Sequence, residues 1–161
     1  MPYEYLICEQ LIEFPINFST KNLRIRSSSG TTNILVYGFL ENDIERHNVA
    51  VRLLFGIIDR EVFISTQVIS ELYSALIKNR VEHDKITKYI GELEENMNIC
   101  AVALNTVKTC LQLKKRYLYS YWDSLILASA LENSCTIVYS EDMQHQQVIE
   151  KSLTIVNAFV S

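Results

Sequence analysis

The sequence predicts an α/β domain built on a mainly parallel sheet, and three observations carry that prediction. Short apolar runs alternate along the chain with longer stretches whose apolar residues recur at helical spacing. Gly and Pro are scarce, four and two in 161 residues, which leaves most of the chain available for regular structure. Hydrophobic residues at 48% and charged residues at 21% are the composition of a chain that folds around a core. That length suits one compact domain. No apolar run approaches the roughly 20 residues that span a bilayer. The first residues carry Glu4, Glu9 and Glu13 without a basic start, so neither a membrane span nor a secretory signal is expected, and the expected location is cytoplasmic.

The elements follow in order. Tyr3–Cys8 and Phe14–Phe18 read as short strands, the second confined to a sheet edge by Pro15. Arg26-Ser27-Ser28-Ser29-Gly30 breaks the pattern as a loop would. The run Asn33–Tyr37 is apolar, and periodicity does not assign it to strand or helix. Asn42 with Glu45 makes a capping-box start for a helix that turns Ile44, Val51, Leu54, Phe55 and Ile58 inward. Glu61–Ser65 is a strand, and Thr66 caps a helix with Ile69, Leu72, Tyr73, Leu76 and Ile77 on its core face. A further helix begins near Asp84, with Ile86, Tyr89, Ile90, Leu93 and Met97 on one side. Ile99–Leu104 reads as a strand and Thr106–Lys115 as a helix, closed by the basic run Lys114-Lys115-Arg116, which offsets the helix dipole. Ser120 caps the almost wholly apolar helix Tyr121–Leu131, which places Trp122 in the core. Thr136–Tyr139 and Leu153–Val156 are the last strands.

Charge and cysteine content narrow the chemistry. Fifteen Lys+Arg against nineteen Asp+Glu give a net charge of −4, which excludes a broad basic nucleic-acid face and leaves phosphate binding local or metal-assisted. Cys8, Cys100, Cys110 and Cys135 form no Cys-x-x-Cys pair and have no histidine at zinc spacing, so they read as reduced core residues.

Parallel sheets bind ligands at the carboxyl ends of their strands, and three acids fall at such positions. Glu71 lies on the helix after strand 61–65, Asp123 in the first turn of the buried helix, and Asp142 just after strand 136–139. Crowded carboxylates repel unless a hard divalent cation neutralises them, and Mg²⁺ accepts a few carboxylates while keeping waters that a phosphate displaces. Each acid also has an ordinary explanation. Asp123 stands three residues after Ser120 and suits a capping box, Glu71 is a helix residue between Val68 and Ala75, and Asp142 sits in a turn sequence. The combination and its order distinguish them. Among other polar candidates, His47 reads as a surface residue, His83 as part of a helix start and His145 as a residue of a solvated loop. Tyr119 and Tyr121 are aromatic groups on which a base can stack.

Ser65-Thr66-Gln67-Val68-Ile69-Ser70-Glu71, Ser120-Tyr121-Trp122-Asp123-Ser124-Leu125-Ile126 and Ser140-Glu141-Asp142-Met143 resemble the successive signatures of the PIN domain family. The likeness is to its VapC-type toxins of toxin–antitoxin pairs. Thr32–Tyr37 resembles the family's opening motif and Leu153–Asn157 its closing strand. The resemblance implies a three-layer α/β/α sandwich with a mainly parallel central sheet, and a helix starting at Ile34–Tyr37. It implies a metal-dependent endoribonuclease, with Glu71, Asp123 and Asp142 as catalytic and metal-binding residues for Mg²⁺ or Mn²⁺. Thr31, Asn33, Ser65 and Thr66 stand as auxiliary positions. An RNA substrate, an antitoxin protein and a homodimer are the implied partners; the RNA-binding residues are not identified.

The chain departs from the family pattern at its first acid. Where the family has Asp-Thr-Asn, this chain has Thr31-Thr32-Asn33, a neutral hydroxyl in place of a carboxylate. Residues 1–30 form a leader that matches nothing in the family, ahead of a PIN-like domain at 31–161. The leader reads as a replacement first strand (Tyr3–Cys8 is the best candidate), the product of a shifted reading frame, or appended sequence. The second functional reading is therefore a catalytically degenerate PIN module that binds RNA or an antitoxin-like partner without cleaving. A phosphoacceptor receiver domain is set aside, because the chain lacks an early acidic pair and a late strand-end lysine.

Overall fold

The computed structural model describes residues 30–57 and 60–160, with side chains from Thr32 onward. The expectations for Tyr3–Cys8, Phe14–Phe18, Cys8, Ile58 and the Thr31 side chain lie outside the described residues. The elements run α1 (Gly30–Phe39), α2 (Ile44–Ile57), β1 (Phe63–Ser65), α3 (Thr66–Lys78), α4 (His83–Asn96) and β2 (Asn98–Cys100). They continue with α5 (Leu104–Tyr117), α6 (Tyr121–Glu132), β3 (Ile137–Tyr139), β4 (Val148–Ile149) and β5 (Leu153–Val156).

The α/β class is as the sequence predicts. β1 pairs with β2 in parallel, Ile64 opposite Ile99, and β3 pairs with β5 in parallel, Val138 opposite Ile155. The two-residue β4, too short to register in the sequence, adds to the other side of β5 in antiparallel fashion. Among the described residues the strands form two ladders, β1–β2 and β3–β5–β4. The helices pack as two groups, α1 with α2 and α3, α3 with α4, and separately α5 with α6. Leu72, Leu76, Ile86, Leu127, Ile149, Leu153 and Ile155 fill the core essentially free of solvent. No helix among the described residues is long and apolar enough to cross a membrane.

The structure settles several local questions. Residues 33–37 are helical, as the resemblance implies; every side chain from Thr32 to Tyr37 is buried, so no polar face exists to reveal a period. α2 is capped by Asp43 rather than by an Asn42–Glu45 box, since Arg46 N donates to Asp43 Oδ1 at 3.1 Å. Ser65, not Thr66, caps α3, accepting from Val68 N at 3.3 Å. Because α3 packs on α1, its buried stripe is Val68, Leu72, Ala75 and Leu76, and Tyr73 and Ile77 face outward. The strand expected over 99–104 ends at Cys100; Ala103 N donates to Thr106 Oγ1 at 3.1 Å and turns the chain into α5. Ser120 caps α6 as expected, but Trp122 is 48% exposed, because the α6 positions buried continuously start one residue later, at Asp123. Cys100, Cys110 and Cys135 are free thiols whose pKa values burial pushes up, which keeps them protonated.

Candidate active site

The site is assembled where four element ends meet. α3 follows directly from β1 and carries Gln67 and Glu71, and the loop after β3 carries Ser140, Glu141 and Asp142. α6 brings Asp123 in its first turn, and α1 brings Thr32 and Asn33 in its own. Side-chain hydrogen bonds tie these ends together. Thr32 Oγ1 donates to Glu71 Oε2 at 2.8 Å, and Asn33 Nδ2 donates to Glu141 Oε1. Gln67 Nε2 donates to Glu71 Oε1 at 2.9 Å and to the Trp122 carbonyl at 3.3 Å, linking α3 to the residue before Asp123.

Asp123 is held through the residue that caps its own helix. Its backbone N–H donates to Ser120 Oγ at 3.1 Å, and the same hydroxyl donates to Asp123 Oδ2 at 2.5 Å. The other carboxylate oxygen, Oδ1, is buried without a hydrogen-bond partner. Two further buried acceptors nearby in the network, Asn33 Oδ1 and Gln67 Oε1, also lack donors. Such atoms cost free energy unless a donor or a cation meets them. Asp142 sits on the exposed rim, its backbone N–H donating to Ser140 Oγ at 3.3 Å. Partial desolvation first, then the negative charges of Glu141 and Asp123, push its pKa up, with Arg46 opposing.

Glu141 plays a different part, and it is the residue that sequence reasoning passed over. Its side chain is only 11% exposed, and it accepts from Asn33 Nδ2, from Tyr37 Oη at 3.2 Å and from the Arg46 guanidinium, with which it forms an ion pair. Arg46 in turn lies over the Tyr37 ring at 5.1 Å and the Phe159 ring at 5.5 Å. Asn157 Nδ2 donates to the Glu141 carbonyl at 3.1 Å, tying the chain after β5 to the same wall. Burial and the neighbouring Glu141 raise the Tyr37 hydroxyl pKa, so it stays a donor. Glu141 beside Asp142 was the available signal, but nothing in the local sequence points to Arg46 as its partner 95 residues away.

The remaining candidates are placed as follows. Thr31 lies in the first turn of α1. Ser65 is buried as the α3 cap, and Thr66 Oγ1 accepts from Val102 N at 3.2 Å, so both hydroxyls serve local structure. His47 Nδ1 meets the Tyr37 carbonyl at 2.7 Å, His83 opens α4 against Tyr73, and His145 Nδ1 accepts from Asn157 N at 3.0 Å. Tyr119 donates to Gln147 Oε1 and accepts from Gln144 N, which binds it to the loop before β4.

The donor set can be tested against a divalent cation. Among the described residues no three His, Cys, Asp or Glu side chains lie close enough together to hold an ion as a group. The partnerless Asp123 Oδ1, and the desolvation followed by the nearby charges of Glu141 and Asp123 that raise Asp142, are, however, the two defects that a cation would relieve. The residues therefore fit a hydrated ion on two carboxylates, the way Mg²⁺ is usually held, rather than a closed cage of three.

Comparison with known proteins agrees with this architecture. The toxin–antitoxin complex from Klebsiella pneumoniae is similar in structure, with a TM-score of 0.60 at 18% identity over 80% of this chain and 94% of that one. VapC20 of Mycobacterium tuberculosis, a sarcin–ricin-loop-cleaving toxin, is similar with a TM-score of 0.55 at 19% identity over 66% of this chain and 82% of that one. No curated protein matches the chain. The PIN domain family matches residues 32–151, well over half of the sequence, and the chain belongs to that family.

Proposed function

We propose that this PIN domain is a metal-dependent endoribonuclease that acts as the toxin of a toxin–antitoxin pair. The observation that carries the reading is the set of buried acceptor oxygens without donors, Asp123 Oδ1, Gln67 Oε1 and Asn33 Oδ1, in the hydrogen-bonded network that joins the ends of β1 and β3. Its similarity to a toxin–antitoxin complex and to an RNA-cleaving toxin supports the same direction.

In this reading Asp123 and Asp142 hold Mg²⁺ or Mn²⁺. When bound, the ion supplies positive charge for a phosphate oxygen and a more acidic water. The chain's own groups do the rest. Ser120 fixes the Asp123 carboxylate by pinning Oδ2, which leaves Oδ1 pointed at a single task. Thr32 and Gln67 hold both oxygens of Glu71, so this third acid keeps its orientation at the edge of the site. Without the ion, partial desolvation and then the charges of Glu141 and Asp123 raise the Asp142 carboxyl, a penalty that a bound cation would offset. Arg46, neutralising Glu141, reduces the repulsion that the site's acids exert on RNA phosphates.

RNA cleavage with Mg²⁺ or Mn²⁺, compared between the wild type and Asp123→Asn, tests the mechanism; equal activity in the two would end it. The second reading, a degenerate module that binds RNA or an antitoxin-like protein without cleaving, is favoured by Thr31 at the family's first acidic position. An inert wild type that gains metal-dependent cleavage as Thr31→Asp would establish it. The antitoxin partner and the homodimer belong to the proposal as well. The exposed Leu104, Leu111 and Leu118, seven residues apart on α5 and its cap, offer apolar surface for assembly. Light scattering that finds only monomer would remove the homodimer.

A further inference from the structure

α6 is apolar almost throughout, yet one of its large side chains, Trp122, is turned to water. The indole stands beside the site. Its own carbonyl accepts from Gln67 Nε2, the same amide that holds Glu71, and the next residue is Asp123. The Tyr121 ring meets it edge to face, centroids 5.1 Å apart, which steadies the indole while leaving it exposed. The other aromatic groups of this corner are engaged. Tyr119 and Tyr121 pack against the core, and the Tyr119 hydroxyl is bonded to Gln147 and Gln144. Cations stand at the same corner: Lys114 Nζ donates to the Tyr119 carbonyl at 3.3 Å, three residues before Trp122, and the exposed Lys115 follows it.

We propose that Trp122 is the platform on which one unpaired RNA base stacks beside the scissile phosphate, with Lys114 placed for a neighbouring phosphate of the same strand. The proposal rests on the nuclease reading and adds a substrate class to it. In a duplex the faces of a base are covered by its neighbours, so a stacking platform selects a single strand or a loop whose bases are splayed out. Stacking is tolerant of sequence and carries no charge. It therefore lets a chain of net charge −4 hold RNA next to its own acids without a broad basic face. A single flat ring set between acids and lysines suits a strand of flat bases and phosphates better than it suits an apolar protein segment, which needs a groove.

Trp122 is the one tryptophan of the chain, so its fluorescence reports on this position alone. The full chain, without added divalent metal, is titrated with an oligoadenylate of about seven nucleotides and with an abasic ribose-phosphate oligomer of the same length. The oligoadenylate is expected to quench Trp122 saturably; the abasic oligomer should leave it unquenched and bind about tenfold more weakly, since it offers phosphates without bases. By anisotropy of the labelled oligoadenylate, Trp122→Ala is expected to weaken binding about tenfold and Trp122→Phe to recover most of the loss. In cleavage assays with Mg²⁺ the alanine variant should raise KM more than it lowers kcat. Failure of the RNA to bind, binding that leaves Trp122 fluorescence unchanged, or equal binding by Trp122→Ala overturns the proposal. So does fluorescence that changes with protein concentration alone, which would mean that a second copy covers the indole. The titrations need no cleavage: RNA that stacks but is never cut removes the nuclease reading and leaves the platform, and RNA that is cut without quenching does the reverse.

Discussion

The first turns of α6 and α1 face the same site and are built in opposite ways. At α6 the functional group is organised by its immediate neighbours: Ser120 caps the helix, accepts the Asp123 N–H and pins one carboxylate oxygen, all within four residues. At α1 the polar groups are spent at long range, Thr32 on Glu71 and Asn33 on Glu141, 39 and 108 residues away. One end presents an acid with an oxygen to spare, and the other presents a hydroxyl and an amide that hold other acids in place. The contrast teaches that the acids of the site are not equivalent. Asp123 keeps one buried carboxylate oxygen without a hydrogen-bond partner, Glu141 is neutralised by Arg46, and Glu71 is oriented by its neighbours.

Breaking the α6 side has the largest expected effect. Asp123→Asn removes the one buried carboxylate with an unpartnered oxygen among the described residues, and cleavage of RNA in Mg²⁺ is expected to fall by about 10²–10³-fold or more, measured as initial rates. Loss of less than about tenfold would place the chemistry elsewhere. Making the α1 side resemble the α6 side is the next test. Thr31→Asp supplies a carboxylate in the first turn of α1 and is expected to tighten divalent binding by about 10–100-fold, read by titration calorimetry. Unchanged affinity would mean that this turn does not reach the ion.

The smaller effects concern how the α6 end is delivered. Ser120→Ala is expected to cost about 1 kcal/mol of stability, a fall in Tm of roughly 2–4 °C for a chain of this size. Cleavage should also drop, because Asp123 Oδ2 loses its tether. Leu118, which ends α5 two residues before Ser120, adopts a left-handed backbone with φ 63°. Leu118→Gly relieves that strain and is expected to stabilise by about 1 kcal/mol in denaturant unfolding. For Asp142 the sign runs the other way from a salt-bridged aspartate. Its folded pKa is raised, so the protonated form is favoured by folding and stability is lost as pH rises through the carboxylate range. Asp142→Asn should therefore stabilise the metal-free protein at neutral pH by up to about 0.5 kcal/mol, a figure kept small by its solvent exposure. The gain should vanish below about pH 4.

What could be read from the sequence divides along the same line. The α6 end was legible because Ser120 and Asp123 form a local motif, and the resemblance located Glu71 and Asp142 by order along the chain. The α/β alternation was legible too, since β5 shows Leu153 and Ile155 buried at alternate positions. The α1 end was not. A helix buried at every position from Thr32 to Tyr37 has no period to detect, and the pairing of Arg46 with Glu141 leaves no local trace. Burial of Trp122 was misread because an almost wholly apolar helix conceals which edge faces water. The stripe of α3 was misplaced by one position for a related reason, because contact with α1 selected Val68 and Ala75 over Tyr73 and Ile77.

The central claim is that Asp123 and Asp142 share a divalent ion, and Mn²⁺ binding followed by electron paramagnetic resonance tests it most directly. One Mn²⁺ per chain is the predicted result for the wild type, with binding lost in Asp123→Asn and weakened in Asp142→Asn while Glu141→Gln still binds. Mn²⁺ that fails to bind the wild type, or binds it and Asp123→Asn alike, would contradict the account.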